Sequence, residues 1–180
     1  MIARIGLARS QLGRGVETAE GSLADLQANA QRALAGLREP ASGIHPSVLD
    51  DRGLVEAIES RAARLPLGVT IGCEPELREI RFDERIESAA YFVCCEGFAN
   101  ALKHSGAERV TLSLWREDGA LALELSDDGR GFDPGTAGGT GLAGLGDRVG
   151  AFGGSFGVES APGRGTRLRA VFPVAEPVVA

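Results

Sequence analysis

Hydrophobic and polar positions alternate in short stretches over the C-terminal three quarters of the chain, where they predict strands separated by helices. The predicted strands are residues 67–72, 110–115, 121–125, 155–159 and 166–171, with a further short one at 79–82. Apolar residues at helical spacing predict helices at 50–64, 83–104 and 142–152, the second of them with Asp83 as its N-cap. Asp118-Gly119 and Pro162-Gly163 mark the turns of two hairpins.

Strands that pair as hairpins, with helices on one face, indicate an α+β fold built as a two-layer sandwich and exclude a doubly wound sheet. Before this region, two helical segments predict a helical hairpin. Its second segment carries a heptad seam: Leu23, Leu26, Ala30, Ala33 and Leu37. The seam is either ordinary core or a pairing surface for a second copy, and we favour pairing because a lone hairpin cannot bury an apolar face. We therefore expect a hairpin at 1–46, a globular domain at 47–175 and a tail at 176–180.

Composition narrows the function classes. A net charge of −6 argues against nonspecific nucleic-acid binding. Cys73, Cys94 and Cys95 show neither metal-ligand spacing nor a disulfide framework, so we expect reduced thiols and a cytoplasmic location. The chain contains no apolar run as long as a membrane span and does not start with a signal peptide, so we expect no membrane contact by the chain itself.

An acidic, glycine-rich stretch, Asp127 to Phe132, follows the predicted strand 121–125. An Asp at a strand end can be held rigidly, and Gly129 and Gly131 are expected to turn through positive φ and to let a ligand approach closely. A rigid carboxylate only accepts hydrogen bonds. It therefore suits the exocyclic amine of adenine and repels the carbonyl oxygen that guanine carries there. The alternative is a hairpin turn, for which Asp-Gly is a strong signal.

A polar stripe follows the helix predicted at 83–104. Glu96, Asn100, Lys103 and His104 step by four, three and one along it. The neutral Asn100 oxygen suits Mg²⁺ when phosphates already supply negative charge. Lys103, the only lysine of the chain, can meet a phosphate, and Glu96 can orient or activate a nucleophile. A solvated helix end explains the two basic groups but neither Asn100 nor Glu96.

A second glycine cluster, residues 138–145, leads into the helix predicted at 142–152, where free amides can hold an anion. Gly139, Gly141 and Gly144 also match the spacing of a dinucleotide fingerprint, but no strand precedes them. A mobile surface loop is the alternative, and it is compatible with a nucleotide lid. Gly165-Thr166 places a hydroxyl at a strand start, where it can reach the pocket through water, although a simple turn explains this segment better when it is taken alone.

These four segments, in this order, resemble the histidine-kinase-like ATPase domain shared by sensor histidine kinases, gyrase, Hsp90 and MutL. The resemblance covers about residues 49–173 and implies the two-layer sandwich known as the Bergerat fold, binding ATP with Mg²⁺. By this resemblance Asp127 contacts adenine with support from Thr166, Asn100 binds Mg²⁺, and Lys103 and His104 lie near the phosphates. The other nucleotide-site residues that it implies are Gly129, Gly131, Phe132, Gly139, Thr140, Gly141 and Leu142, with Glu96 and Asn100 as the catalytic pair.

Three runs are similar to those of the NarX/DesK-type sensor histidine kinases: GIHPSVLDDRGL, EGFANALKHSGA and GLAGLGDRVGAFGG. This resemblance implies a histidine protein kinase that binds ATP or ADP, pairs with a response regulator and forms a homodimer through the helical hairpin. The parent kinase of such a portion is often membrane-anchored.

One departure from this subfamily concerns the phosphoacceptor. Such kinases carry a His-Asp pair near the start of the first dimerisation helix, and the only histidines here are His45, in an Ile-His-Pro junction, and His104. We therefore expect a kinase fragment that does not autophosphorylate and whose acceptor histidine lies outside this chain. The alternatives are an ATP hydrolase of the gyrase or MutL kind, an anti-sigma serine kinase, and a non-catalytic dimerisation module.

Overall fold

A computed structural model describes residues 47–135 and 140–174. The helices are α1 (Ser47–Ala62), α2 (Glu84–Asn100) and α3 (Thr140–Gly150), with a short 3-10 helix at Pro75–Arg78 and a π-helical turn at Ala101–Ser105. The strands are β1 (Gly68–Cys73), β2 (Arg109–Glu117), β3 (Ala120–Asp127), β4 (Ser155–Ser160) and β5 (Thr166–Pro173). The predicted hairpin at 1–46 and the tail at 176–180 lie outside the described residues. Over the part that is described, no helix is long and apolar enough to cross a membrane.

The strands form one five-stranded sheet in the order β1-β2-β3-β5-β4. Both predicted hairpins are present, β2 with β3 and β4 with β5, and β3 also pairs with β5 in antiparallel fashion. Asp118 (φ 49) and Gly119 (φ 77) make the first turn, as their left-handed backbone requires. β1 runs parallel to β2, an arrangement that needs a long crossover, and α2 lies within that connection.

The core lies between the sheet and the helices. Alternate residues of the three central strands are buried: Val110, Leu112, Leu114, Leu121, Leu123, Leu125, Leu168, Ala170 and Phe172. They join one hydrophobic cluster with buried residues of every helix, among them Ile58, Phe98 and Leu145. The opposite face of the sheet carries charged side chains, such as Arg167 and Glu124, whose Nε and Oε1 atoms are 3.5 Å apart. The predicted α+β two-layer sandwich is therefore confirmed.

Arg81 connects α1 with the start of α2. Its guanidinium donates to the carboxylate of Glu87, which is 1% exposed, and to the carbonyl oxygens of Leu49 and Asp50 at 3.1 and 2.9 Å. The Phe82 amide also donates to Glu87, at 2.9 Å. The strand predicted at 79–82 is wrong, since this segment forms only an isolated bridge at Arg81. The polar groups of Arg81 and Phe82 form hydrogen bonds with Glu87 and α1 in place of a neighbouring strand.

Gly97 sets how closely α2 lies on the sheet. A Cβ atom at this position would be 2.7 Å from Cδ1 of Leu125 and 3.4 Å from Cδ1 of Leu168, both of which are buried. A larger residue would therefore force the buried Leu125 side chain to move. Asn100, one turn further along α2, is positioned by the same contact.

Gly97→Ala should leave the free energy of unfolding at least ~1 kcal/mol below that of the matched variant Gly144→Ala. Both changes gain helix propensity, but an added Cβ at Gly144 in α3 meets nothing within 4 Å, whereas at Gly97 it overpacks the core. Urea denaturation of the two variants measures the difference. Equal stabilisation by both would contradict the close packing of α2.

Candidate functional site

Three polar side chains lie at one end of the sheet, on the face that packs against the helices. Asp127 closes β3, Thr166 opens β5 and Ser160 closes β4, and they are direct neighbours in the strand register. Side chains on a strand alternate between faces, so Asp127 shares the face of buried Leu125, two residues before it. Directly paired residues have Cβ atoms about 5 Å apart. We call Asp127, Thr166 and Ser160 the polar row.

Asp127 is held in a fixed orientation. It is 9% exposed, and its Oδ1 accepts the Gly129 amide at 2.9 Å. Its Oδ2 accepts no hydrogen bond from the residues that the structure describes, so one oxygen remains for a ligand. The hairpin-turn alternative is wrong, because the sheet neighbours of β3 are β2 and β5, and β4, the next strand in sequence, pairs with β5.

The neighbouring acid has a structural role. Oδ1 of exposed Asp128 accepts the amides of Glu108 and Arg109 at 2.9 and 3.0 Å, and the Asp128 amide donates to the Arg109 carbonyl at 3.3 Å. The hydrogen bond from the Arg109 amide, with that from Glu108, lowers the pKa of the Asp128 carboxyl. Asp128 therefore fastens the end of β3 and the residues after it to the start of β2.

The acidic loop, residues 127–132, passes over the end of the π-helical turn. A Cβ atom at Gly129 would be 2.5 Å from Cβ of Ser105, and the Arg130 amide donates to the Ser105 carbonyl at 2.8 Å. The predicted positive φ is found at Gly131 (φ 60) but not at Gly129. Gly129 is needed because the loop contacts Ser105 too closely for any side chain.

On its other side the acidic loop contacts the turn at residues 161–165. A Cβ atom at Gly131 would overlap the Ala161 carbonyl, and one at Gly165 would overlap the Asp127 carbonyl. The Gly163 amide donates to the Arg130 carbonyl at 2.6 Å. The two loops therefore pack backbone against backbone, which orients Asp127.

Ser160 is a site residue that the sequence analysis missed. Its Oγ accepts the Phe132 amide at 3.0 Å, donates to the Gly165 carbonyl at 2.8 Å and lies 3.2 Å from Oγ1 of Thr166. It thus joins the acidic loop, the turn and the polar row. A signal was present: Ser160 follows Phe156 and Val158 at a period of two, which puts a hydroxyl at a core-facing position.

The polar stripe of α2 lies at the same end of the sandwich as the polar row. The π-helical turn continues α2, and its last residue, Ser105, contacts the acidic loop. Glu96 and Asn100 are half-buried, whereas Lys103 and His104 are exposed. The helix predicted up to His104 extends to Ser105, with α-helical geometry as far as Asn100 and π-helical geometry from Ala101 on. The Ser105 hydroxyl donates to the Ala101 carbonyl at 2.7 Å and accepts the Ala107 amide at 3.0 Å, so it holds the end of this turn.

The second glycine cluster is described from Thr140 on. Gly138 and Gly139 lie outside the described residues, as does the side chain of Thr140. Gly141 and Leu142 lie in the first turn of α3, which starts two residues before its predicted position. Leu142 packs against the core, and buried Leu145 and Val149 anchor α3 there. The Arg148 guanidinium lies 3.8 Å from the centre of the Phe92 ring and so attaches α3 to α2.

Two curated proteins are similar to this chain. The signal transduction histidine-protein kinase/phosphatase UhpB of Salmonella typhimurium is 34% identical over 134 residues, which cover 72% of this chain and 26% of UhpB. The sensor histidine kinase MctS of Rhizobium johnstonii is 30% identical over 169 residues, covering 89% of this chain and 34% of MctS. The chain thus spans between a quarter and about a third of the length of these relatives.

Solved structures support the fold. The ATP-binding domain of PrrB from Mycobacterium tuberculosis matches with a TM-score of 0.54 and 25% sequence identity, covering 68% of this chain and 92% of that domain. The Acinetobacter baumannii histidine kinase AdeS matches with a TM-score of 0.54 over 96% of both chains, at 15% identity, which supports the fold alone.

A protein-family comparison covers the region that contains the site. The model of the histidine kinase-, DNA gyrase B- and HSP90-like ATPases matches residues 86–176. This region is just over half of the chain and holds α2, the acidic loop, α3 and the polar row. On this match and the site geometry above, the chain belongs to the histidine kinase-, DNA gyrase B- and HSP90-like ATPase family.

Proposed function

We propose that this chain is the ATP-binding catalytic portion of a sensor histidine kinase of the NarX/DesK type. The observation that carries the proposal is the Asp127 carboxylate, nearly buried, with one oxygen fixed by Gly129 and the other open to a ligand. The similarity to UhpB and MctS supports the kinase class. The subfamily rests on the three sequence runs quoted above.

The base would be recognised by hydrogen bonding to Asp127. An ionised carboxylate only accepts, so it pairs with the 6-amino group of adenine and disfavours the 6-oxo group of guanine. Leaving a nearly buried carboxylate without a donor costs more than a lost hydrogen bond at the surface does. Asp127 therefore gives selectivity as well as affinity.

The phosphates would lie toward the end of α2. Asn100 provides a neutral carboxamide oxygen, which fits Mg²⁺ because this ion takes few protein ligands and keeps waters and phosphate oxygens. When bound, Mg²⁺ neutralises phosphate charge during transfer. Exposed Lys103 and His104 would contact the phosphates, Glu96 would orient the nucleophile, and the segment 139–142 would close over the nucleotide.

We further propose the wider setting of the domain. Residues 1–46 would form the dimerisation hairpin and 47–175 the catalytic domain, with a response regulator as the protein partner. The phosphoryl group would pass to a histidine other than His45 and His104. Cys73, Cys94 and Cys95 are free thiols, which fits a cytoplasmic location.

Asp127→Asn should weaken ATP binding by roughly ten- to a hundredfold, since an amide can turn its donor toward the base amine. The matched control is Asp128→Asn, whose amide oxygen can still accept the Glu108 and Arg109 amides, so this variant should keep the preference of the parent for ATP over GTP. Calorimetry with both nucleotides measures this preference. Equal affinity of the parent for ATP and GTP would refute adenine recognition.

Asn100→Ala should remove most of the gain in ATP affinity that Mg²⁺ gives to the parent. Adenosine binding should stay unchanged, because the base contacts are separate from the metal ligand. The measurement is titration of ATP with and without Mg²⁺. Thr111→Ala, at an exposed position of β2, is the surface control. If Asn100→Ala binds Mg-ATP like the parent, Asn100 is only a helix-end residue.

Incubation of the chain with radiolabelled ATP should not label the chain with phosphohistidine, which is recognised because acid removes it. A separate segment that carries an acceptor histidine should become labelled when it is added. His104 belongs to the same rigid helix end as Asn100, so it is placed to touch bound phosphates and not to attack the γ-phosphorus in line. Acid-labile label on the chain that disappears in His45→Ala or His104→Ala would make that histidine the acceptor.

A further inference from the structure

The hydrogen-bonding capacity of Ser160 is fully used. A serine hydroxyl has one hydrogen and two lone pairs. The hydrogen goes to the Gly165 carbonyl at 2.8 Å, and one lone pair accepts the Phe132 amide at 3.0 Å. The remaining lone pair faces Oγ1 of Thr166 at 3.2 Å.

This arrangement fixes the direction of the Thr166 hydroxyl. Ser160 has no second hydrogen, so in the contact between the two hydroxyls Thr166 must be the donor. Oγ1 of Thr166 then offers only lone pairs to its other neighbours. A threonine hydroxyl without such a partner would rotate and could donate or accept.

Thr166 stands directly opposite Asp127 in the pairing of β3 with β5. Asp127 is acceptor-only because it is a carboxylate, and Thr166 becomes acceptor-only because of Ser160. Together they present a surface of lone pairs. A ligand group that donates, such as an amine or a bridging water, is favoured there, and a carbonyl oxygen finds no donor.

We propose that Ser160 is a specificity-determining positioning residue: by holding the Thr166 hydroxyl hydrogen, it keeps the pocket free of donors beside Asp127 and so disfavours the 6-oxo oxygen of 6-oxopurine nucleotides relative to the 6-amino group of adenine. The inference rests on the adenine-nucleotide function proposed above and deepens it. Ser160 acts through Thr166 and does not itself touch the base.

A purely structural role of Ser160 predicts a different outcome. Ser160 also holds the Phe132 amide and the Gly165 carbonyl, so its removal loosens the acidic loop. Loosening weakens the binding of every purine nucleotide by a similar factor. Release of the Thr166 hydroxyl instead allows it to donate to a 6-oxo group, so the binding of inosine triphosphate falls less than that of ATP, or improves.

The experiment is calorimetric titration of the full chain with ATP and with inosine triphosphate. Ser160→Ala should lower the ratio of ATP to inosine triphosphate affinity about tenfold, roughly the effect of one gained or lost hydrogen bond. Ser160→Thr keeps the hydroxyl and should retain the ratio of the parent. Ser155→Ala, at the exposed start of the same strand, is the matched control and should also retain it.

A double variant isolates the hydroxyl of Thr166. Adding Thr166→Val to Ser160→Ala should restore the discrimination against inosine triphosphate, because valine has no hydrogen to donate. If Ser160→Ala does not fold, Ser160→Cys keeps nearly the same side-chain size with a weaker donor and should shift the ratio in the same direction.

The possible failures are distinct. If the parent discriminates but Ser160→Ala (or Ser160→Cys in its place) leaves the ratio unchanged, Ser160 is only structural and the inference is overturned, while adenine binding stands. A ratio for Ser160→Thr as low as that for Ser160→Ala would also overturn it. If the parent binds ATP and inosine triphosphate equally well, the proposed recognition of adenine by Asp127 fails, and the inference about Ser160 fails because it rests on that recognition.

Discussion

The site depends on the close packing of the acidic loop between two other backbone segments. Gly129 lies against Ser105 at the end of the π-helical turn, and Gly131 and Gly165 lie where the loop meets the turn at 161–165. At each of these positions a Cβ atom would overlap a neighbouring residue. The absence of side chains allows main-chain hydrogen bonds from Arg130 and Gly163 to fix the loop without help from a ligand.

This packing explains how adjacent acids have separate tasks. Asp128 uses its carboxylate on the amides of Glu108 and Arg109, so it is part of the framework. Asp127 is nearly buried and keeps one oxygen for an external donor. A buried acceptor without a donor is costly, and a ligand that supplies the donor recovers that cost. Under the proposed function, the rigidity of the acidic loop would give Asp127 its selectivity for a donating ligand.

Much of the fold could be predicted from the sequence because local patterns of hydrophobic and polar residues determine most of its strands, helices and turns. Period-two alternation identified β1 to β5, helical spacing identified α1 to α3, and Asp118-Gly119 identified the first hairpin turn. The parallel pairing of β1 with β2 could not be seen, since it depends on which sheet edge is free after the hairpins form. Residues 79–82 alternate like a strand, but the contacts of Arg81 with α1 and Glu87 outweigh that pattern.

For the site, the sequence indicated which residue types matter but not how they are held. Asp127, Asn100 and Thr166 were named from their chemistry, and the structure brings Asp127 and Thr166 into one register and places Asn100 on the helix that ends against the acidic loop. The positive φ expected at Gly129 was wrong, and Ser160 was missed. Both residues make their decisive contacts with segments far apart in sequence, and the local period of two indicates only the face of β4 on which Ser160 lies. The π-helical geometry of Ala101–Ser105 was not predicted either.

The central claim is that Asp127 reads the amine of an adenine base. A crystal structure of the chain with a non-hydrolysable ATP analogue and Mg²⁺ tests it most directly. The account predicts the 6-amino nitrogen at hydrogen-bond distance from Oδ2 of Asp127, about 2.7–3.2 Å, with the acidic loop unchanged. A nucleotide bound with its 6-amino group directed to solvent, or with its base away from the polar row, would contradict the account.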